Sequence, residues 1–253
     1  MNEEKLINYY NKFNEKKRLK TRHGEIEFYV TTSYINKYLK KENKIIDIGA
    51  GTGAYSNYYE KKGYNITAIE LVKHNIREIE KNKNIKCYSL NATNLKGIKS
   101  NYYDVTLLLG PMYHLLSDKE KEKALSEAKR VTKRNGYIFI CYCLKDFAIL
   151  KHGFIDNHID EIKDIEKDTI TDKDNLYSFV SIDYINKLRK KLNLKEIEMI
   201  SQEGPTEYFR KEINKMDEKT FNIYKEYILK NSNNKNMLDY SRHIIDITKK
   251  TDD

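Results

Sequence analysis

Apolar positions along this chain fall into short runs divided by polar spacers, and two periods alternate. Ile45–Ile48, Asn65–Glu70, Ile85–Leu90, Tyr103–Leu109 and Tyr137–Cys143 read as five strands. Three leucines in a row, Leu107-Leu108-Leu109, suit a strand buried on both faces, as strands of a parallel sheet are. Helical stretches lie between the runs. One begins near Gly53; another opens with the capping box Ser117-x-x-Glu120, runs to about Thr132 and ends at Asn135-Gly136. Strand–helix alternation of this kind predicts an α/β, doubly wound, Rossmann-like sheet. Ahead of it, Leu6, Ile7, Tyr10 and Phe13 form one helical stripe, and Phe28, Val30, Tyr34, Ile35, Tyr38 and Leu39 a second, with Arg22-His23-Gly24-Glu25 read as a turn between them. The alternation breaks over residues 144–180, which are polar and poorly periodic. It resumes with a helix at Asp183–Leu192, a strand at Leu194–Ser201, weaker helical stretches near 206–215 and 217–230, and a last strand at Ser241–Thr248. The expected layout is one domain over residues 1–253: a helical cap (1–41), a ligand-binding core (42–143), a lid or insertion (144–180), and C-terminal helices with an antiparallel strand pair (181–253).

Candidate chemistry concentrates where the first strand turns into its helix. Asp47-Ile48-Gly49-Ala50-Gly51-Thr52-Gly53 puts glycine at every second position, so backbone amides can lie against a ligand beside a helix N-terminus. Gly49-x-Gly51-x-x-Ala54 fits a loose dinucleotide pattern. Asp47-x-Gly49-x-Gly51-x-Gly53 fits an S-adenosylmethionine (SAM) loop better, because the acid suits the cationic amino group of the methionine part and would repel a pyrophosphate. Glu70 follows Gly49 by about 20 residues, the interval for an acid at the end of strand two that binds ribose hydroxyls. Asn91, just past strand three, can bond an adenine amino group or simply shape a turn. After strand four, Gly110-Pro111-Met112-Tyr113-His114-Leu115 faces the ligand crevice of such a sheet. Pro111 and Tyr113 align with the Asn/Asp-Pro-Pro-Tyr loop of base amino-methyltransferases, but Gly110 replaces the group that would hold an exocyclic amine. His114 is a candidate general base or orienting group, or else packs behind the loop; Tyr113 can stack on substrate or cap the core. Tyr9, Tyr10, Arg22 and His23 are candidates to close over the site.

Composition adds limits. The net charge of +9 invites a nucleic-acid reading, yet Lys, Asn, Ile and Tyr are over-used together while Trp is absent and Pro numbers 2, so a compositional drift accounts for much of it. Acids and bases interleave, as in Glu120-Lys121-Glu122-Lys123, which reads as a solvated helix face. No apolar run approaches membrane-spanning length, and Met1–Lys5 lacks an apolar secretion segment. The 3 cysteines cannot all pair and match no zinc spacing, so no metal is expected and a reducing, cytoplasmic setting is. Cys141 and Cys143 share one face of strand five and read as core residues.

Asp47 to Gly53, Ile69-Glu70-Leu71 and Leu107 to Leu115 together resemble class I SAM-dependent methyltransferases, most closely a branch of small bacterial members. The resemblance to that branch extends to Arg22-His23-Gly24, Glu203-Gly204-Pro205 and Ser241-Arg242-His243. It implies a seven-stranded sheet with strand seven antiparallel between strands five and six. It implies Asp47, Gly49, Ala50, Gly51, Thr52 and Gly53 at the methionine and ribose, Glu70 and Leu71 at the ribose, Asn91 and Ala92 near adenine, and Leu109 on the cofactor side. Asn91 departs from the Asp often found there. The expected activity is methyl transfer from SAM to a small-molecule acceptor by in-line displacement, with Tyr113, His114, Tyr9, Arg22 and His23 at the acceptor. An RNA methyltransferase and a non-catalytic SAM-binding regulator or partner subunit stay open as alternatives; a dehydrogenase is disfavoured. The acceptor atom and the oligomeric state stay open as well.

Overall fold

The computed structural model describes residues 3–12, 18 and 21–252. Five parallel strands form its centre: β1 (Lys44–Ile48), β2 (Asn65–Glu70), β3 (Lys86–Ser89), β4 (Tyr103–Leu108) and β5 (Thr132–Leu144), in the spatial order β3-β2-β1-β4-β5. Beyond them a hairpin, β6 (Thr169–Thr171) and β7 (Ser178–Val180), and the strands β8 (Leu194–Ser201) and β9 (His243–Lys250) complete a sheet of nine strands among the described residues. β9 runs antiparallel between β5 and β8, so the seven-strand arrangement expected from the resemblance is present, with the hairpin added to it.

Side-chain alternation builds two apolar layers, one on each face. Ile46, Ile48, Leu108, Ile138 and Ile140 meet Leu125, Ala128 and Val131 of one helix and Ile185 and Leu188 of another. Ile45, Val105, Leu107, Phe139 and Ile245 meet Ile26, Val30 and Ile35 on the opposite face, together with Phe221 and Ile228. The helices are α1 (Glu3–Lys12), α2 (Arg22–Tyr38), α3 (Ala54–Lys61), α4 (Lys73–Ile79), α5 (Asp118–Val131), α6 (Ile182–Lys191), α7 (Arg210–Lys215), α8 (Glu218–Asn231) and α9 (Lys235–Leu238). The capping box at α5 forms as read, with the Ser117 side chain and Glu120 each bonding the other's backbone amide.

Several elements differ from the sequence reading. Arg22-His23-Gly24-Glu25 is not a turn but the first turn of α2. Thr21 caps it: its carbonyl accepts from Glu25 N at 2.8 Å and its hydroxyl from Gly24 N. Phe13, the last member of the first expected stripe, lies outside the described residues. β5 starts at Thr132, paired to Tyr103, and absorbs Asn135-Gly136 in an irregularity where Asn135 takes φ 63°. The last strand starts two residues later than expected, at His243.

Residues 144–180 carry more structure than their pattern shows. A π-helical turn (Ala148–Ile155) precedes the β6–β7 hairpin. Cys143 pairs with His243 of β9 and also with Phe179 of β7, so these two strands lie on opposite edges of β5. β4 shares the edge taken by β7 but stops at Leu108. The hairpin therefore continues that edge above the end of β4, over the loop that follows it.

Candidate functional site

The chain runs outward from β1 to β3, then crosses back to β4, which leaves a crevice at the carboxyl ends of β1 and β4. The loop from β1 to α3 forms its floor. The amides of Gly49 and Ala50 both donate to the Ile69 carbonyl, at 2.8 and 3.0 Å, which ties the loop to the end of β2. Gly49 sits at φ +73°, and a Cβ there would lie 2.5 Å from Cγ of Pro111. Only glycine lets the two loops meet this closely.

Two buried carboxylates face this crevice. Asp47 accepts from the Ser56 hydroxyl at 2.7 Å. Burial pushes its carboxyl up to about 6, and the charge of Glu70 adds to the shift against the Ser56 hydrogen bond. Glu70 accepts from Gly51 N at 2.7 Å and from Val72 N at 2.8 Å, so it orders the glycine loop while lining the crevice. Burial raises its pKa too, opposed by those amides. Ala50, Thr52, Leu71, Ala92 and Leu109 line the same crevice. Gly53 does not; it caps α3 at φ +81°, and a Cβ there would meet Ile79 and Asn57. Asn91 lines the crevice with its amide engaged: Oδ1 accepts from the amide and hydroxyl of Thr93 at 2.9 Å each, and Nδ2 donates to Glu3 of α1. This donor set fits SAM. A pair of acids suits an ammonium and ribose hydroxyls, the glycine cradle admits a ligand against backbone, and a pyrophosphate would meet two carboxylates.

At the inner end, Tyr113 and His114 line the crevice below the hairpin. His114 Nδ1 lies 2.8 Å from the Leu176 carbonyl, which can only accept, so this nitrogen carries the proton. Its Nε2 then accepts from the Tyr10 hydroxyl at 2.6 Å. Burial lowers the imidazole to about 4 against the Leu176 hydrogen bond, so it is neutral near pH 7. Tyr113 stacks on Tyr177 of the insertion with centroids 6.1 Å apart and planes at 19°. Tyr9 bonds the Tyr177 hydroxyl at 3.1 Å and lines a neighbouring cavity rather than the crevice.

Arg22 and His23, expected at the acceptor, face elsewhere. The Arg22 guanidinium lies 4.4 Å from the Phe221 ring centroid, and His23 is buried between Thr21, Glu207 and Arg210. In their place Arg18, Glu27 and Gln202 reach the crevice. Arg18 donates twice to Glu27, at 2.6 and 3.0 Å. Burial opposes the Glu27 charge, but Arg18 overcomes this and holds the carboxyl near 2. Gln202 accepts from the Cys141 thiol at 3.1 Å and donates to Thr31 at 2.7 Å, bracing β8 against α2. Glu27, Glu203 and His243 bring one ligand-type atom each within 4.8 Å of one another. Arg18 occupies Glu27, while Ser241 and the His243 amide donate to Glu203, so the trio is a hydrogen-bonded ion-pair network. No periodicity or spacing marks Arg18, Glu27 or Gln202 in the sequence.

Residues 46–140, which span β1 to β5 and build the crevice floor, match a family model described as a methyltransferase domain. Among solved structures the chain is similar to a SAM-dependent methyltransferase of Thermotoga maritima described as a possible histamine N-methyltransferase (16% identity, 96% of this chain and 98% of that one, TM-score 0.63). It is also similar to the 1,6-didemethyltoxoflavin-N1-methyltransferase of Burkholderia thailandensis, solved with 1,6-didemethyltoxoflavin and S-adenosylhomocysteine (10% identity, 99% and 87%, TM-score 0.61). A third is a SAM-dependent methyltransferase of Methanosarcina mazei (15% identity, 86% and 96%, TM-score 0.60). No curated protein sequence matches the chain. At such identities the neighbours speak for the fold. Residues 46–140 thus carry a methyltransferase-type domain, on a fold that these SAM-dependent methyltransferases share. No helix among the described residues is long and apolar enough to cross a membrane.

Proposed function

We propose that this enzyme methylates a small-molecule acceptor held at the inner end of the crevice, between Tyr10, Arg18, Glu27, Tyr113, His114 and Gln202. The observation that carries this is enclosure. α1 crosses the crevice through Tyr10 on His114 and Glu3 on Asn91, while the hairpin covers the loop after β4. A molecule of modest size fits behind such a closure; a folded RNA does not. The Burkholderia neighbour, which carries a small heterocycle, supports the same reading.

SAM supplies a methyl group already activated on a sulfonium, so the chain's own task is to hold, align and exclude water. Asp47 and Glu70 are the anchors for the cationic and ribose ends. His114, neutral and bonded on both nitrogens, is a positioning group rather than a strong base; Tyr113 shapes the acceptor wall. Residues 3–12 and 145–180 are the cap and lid.

The test is to incubate the enzyme with methyl-labelled SAM and a cell extract separated into low-molecular-weight and RNA fractions. Label in a small molecule, as a mass shift of one methyl group, is the expected result. Label confined to RNA, with binding that weakens steeply in salt, overturns the reading in favour of RNA. Tight SAM binding with no transfer to either fraction overturns it in favour of a regulator.

A further inference from the structure

Arg242 precedes β9, and its carbonyl accepts from Leu144 N at 2.9 Å, which fixes its backbone at the rim of the sheet. Its side chain lines a second cavity beneath the insertion, walled by Tyr9, Ala148, His152, Tyr177 and Phe179. Its Nε is buried and makes no hydrogen bond, and its guanidinium carbon lies 6.0 Å from the Tyr177 ring centroid. Neighbouring charges are matched in pairs. Arg18 meets Glu27 at 2.6 Å, His243 meets Glu203 at 3.1 Å, Arg210 meets Glu207 at 3.7 Å, and Lys173 meets Glu161 at 3.2 Å. Among the described residues, no carboxylate stands within ion-pair distance of Arg242.

Arg242 is half-buried; burial opposes its charge, while Cys143, Glu207 and Glu203 favour it without pairing with it. An arginine keeps its charge at any working pH, so this guanidinium, open to the cavity and with no carboxylate in pairing distance among the described residues, is a receptor for an anion from outside. One guanidinium between flat rings suits a planar monoanion, which a carboxylate meets with two parallel hydrogen bonds. A phosphate dianion is a poorer match: Lys173, the other cation on the wall, is taken by Glu161, and Asp172 and Asp174 also line the cavity. The cavity also adjoins the cofactor crevice. Tyr113, His114 and Tyr177 form the partition, with His114 and Tyr177 centroids 4.9 Å apart. Tyr9 lines one side and Tyr10 the other, both from α1, so α1 closes the seam between the two spaces.

We infer that Arg242 anchors a carboxylate of the methyl acceptor, which is therefore a planar, ring-bearing acid lying along Tyr113 and Tyr177. The inference rests on the small-molecule reading above and narrows it to acids.

Calorimetry on the S-adenosylhomocysteine complex tests it without turnover, with benzoate as the probe and benzamide as its uncharged counterpart. Benzoate should bind at least ~10-fold more tightly, the scale of a charge-assisted pair. Arg242→Gln should erase that preference with S-adenosylhomocysteine affinity unchanged, which also reports that the variant is folded. If Arg242→Gln does not fold, Arg242→Lys decides: it keeps the charge but loses the paired geometry, and benzoate should weaken while the cofactor product binds normally. Equal binding of the two probes, no binding of benzoate, or a preference that survives substitution overturns the inference. Labelled product from extract separates this failure from that of the broader reading. A labelled acid retained on an anion exchanger supports both. A labelled neutral or cationic product overturns the carboxylate anchor alone. No labelled small molecule overturns the small-molecule reading, and the benzoate comparison then decides on Arg242.

Discussion

Replacing Gly49 with alanine tests the contact on which the cofactor crevice is built. At φ +73° an alanine bears left-handed strain of about 1–2 kcal/mol. Its Cβ would also sit 2.5 Å from Cγ and 2.6 Å from Cδ of Pro111. Carbon atoms rest at about 3.5–4.0 Å, so the proline must retreat by roughly 1 Å. Overpacking of this kind costs about 1–3 kcal/mol more. Pro111 begins the turn that carries Tyr113 and His114, so the shift reaches the acceptor wall. Gly63 is the control: φ is +87°, and nothing lies within 4 Å of the position its Cβ would take. Gly63→Ala should lose about 1–2 kcal/mol in urea unfolding and keep parental SAM affinity. Gly49→Ala should lose about 2–5 kcal/mol and bind SAM at least ~10-fold more weakly, with turnover falling on the order of 10²-fold. If the two variants unfold alike and both bind SAM like the parent, the close approach of the two loops does not shape the site.

Asp47 sets a pH dependence. Its carboxyl, raised to about 6, is neutral below that pH and offers the SAM ammonium no charge; above it the group ionises. SAM affinity measured by calorimetry should therefore rise by roughly tenfold from about pH 5 to about pH 7, and Asp47→Asn should flatten the profile; a flat profile in the parent would falsify the assignment. Tyr10→Phe removes the hydroxyl 2.6 Å from His114 Nε2 and about 1 kcal/mol of closure, so amide exchange over residues 3–12 should quicken about fivefold. Unchanged exchange would mean that α1 is held by other contacts. On the far side of the sheet, Arg189 Nη1 donates at 2.7 Å to Asp246, which is fully buried. Burial already raises the Asp246 carboxyl to about 7 against Arg189, so Arg189→Ala leaves it to take up a proton, and the loss of the pair should cost about 1–3 kcal/mol in urea unfolding at pH 7. A loss below about 1 kcal/mol would show that the pair contributes little.

What could be read from the chain divides along a physical line. β2 and β8 have the bounds their patterns indicate, Asn65–Glu70 and Leu194–Ser201: β2 is an interior strand with a nearly continuous buried run, and β8 an edge strand with polar residues interleaved. The glycine loop was equally legible, because Gly49 and Gly51 act through backbone shape and lie beside Asp47 in sequence. Where local and tertiary signals conflict, the reading fails. Gly24 and its charged neighbours look like a turn, yet Thr21 caps them into α2. β6 and β7 are 3 residues each, too short for a period of two to show. Of the residues proposed to meet the acceptor, the chain alone marked Tyr10, Tyr113 and His114. Arg18, Glu27 and Gln202 reach the crevice, and Tyr177 and Arg242 the adjoining cavity, from separate segments, and their relation exists only in packing. This follows from what each half must do. A cofactor common to many enzymes is held by backbone that any member of the fold can retain, whereas acceptors differ and are met by side chains on caps, insertions and strand ends. Substituting those positions alters what is bound without disturbing the sheet. On the inference drawn above, Arg242 on such a rim, rather than the glycine loop, is where the identity of the acceptor is written.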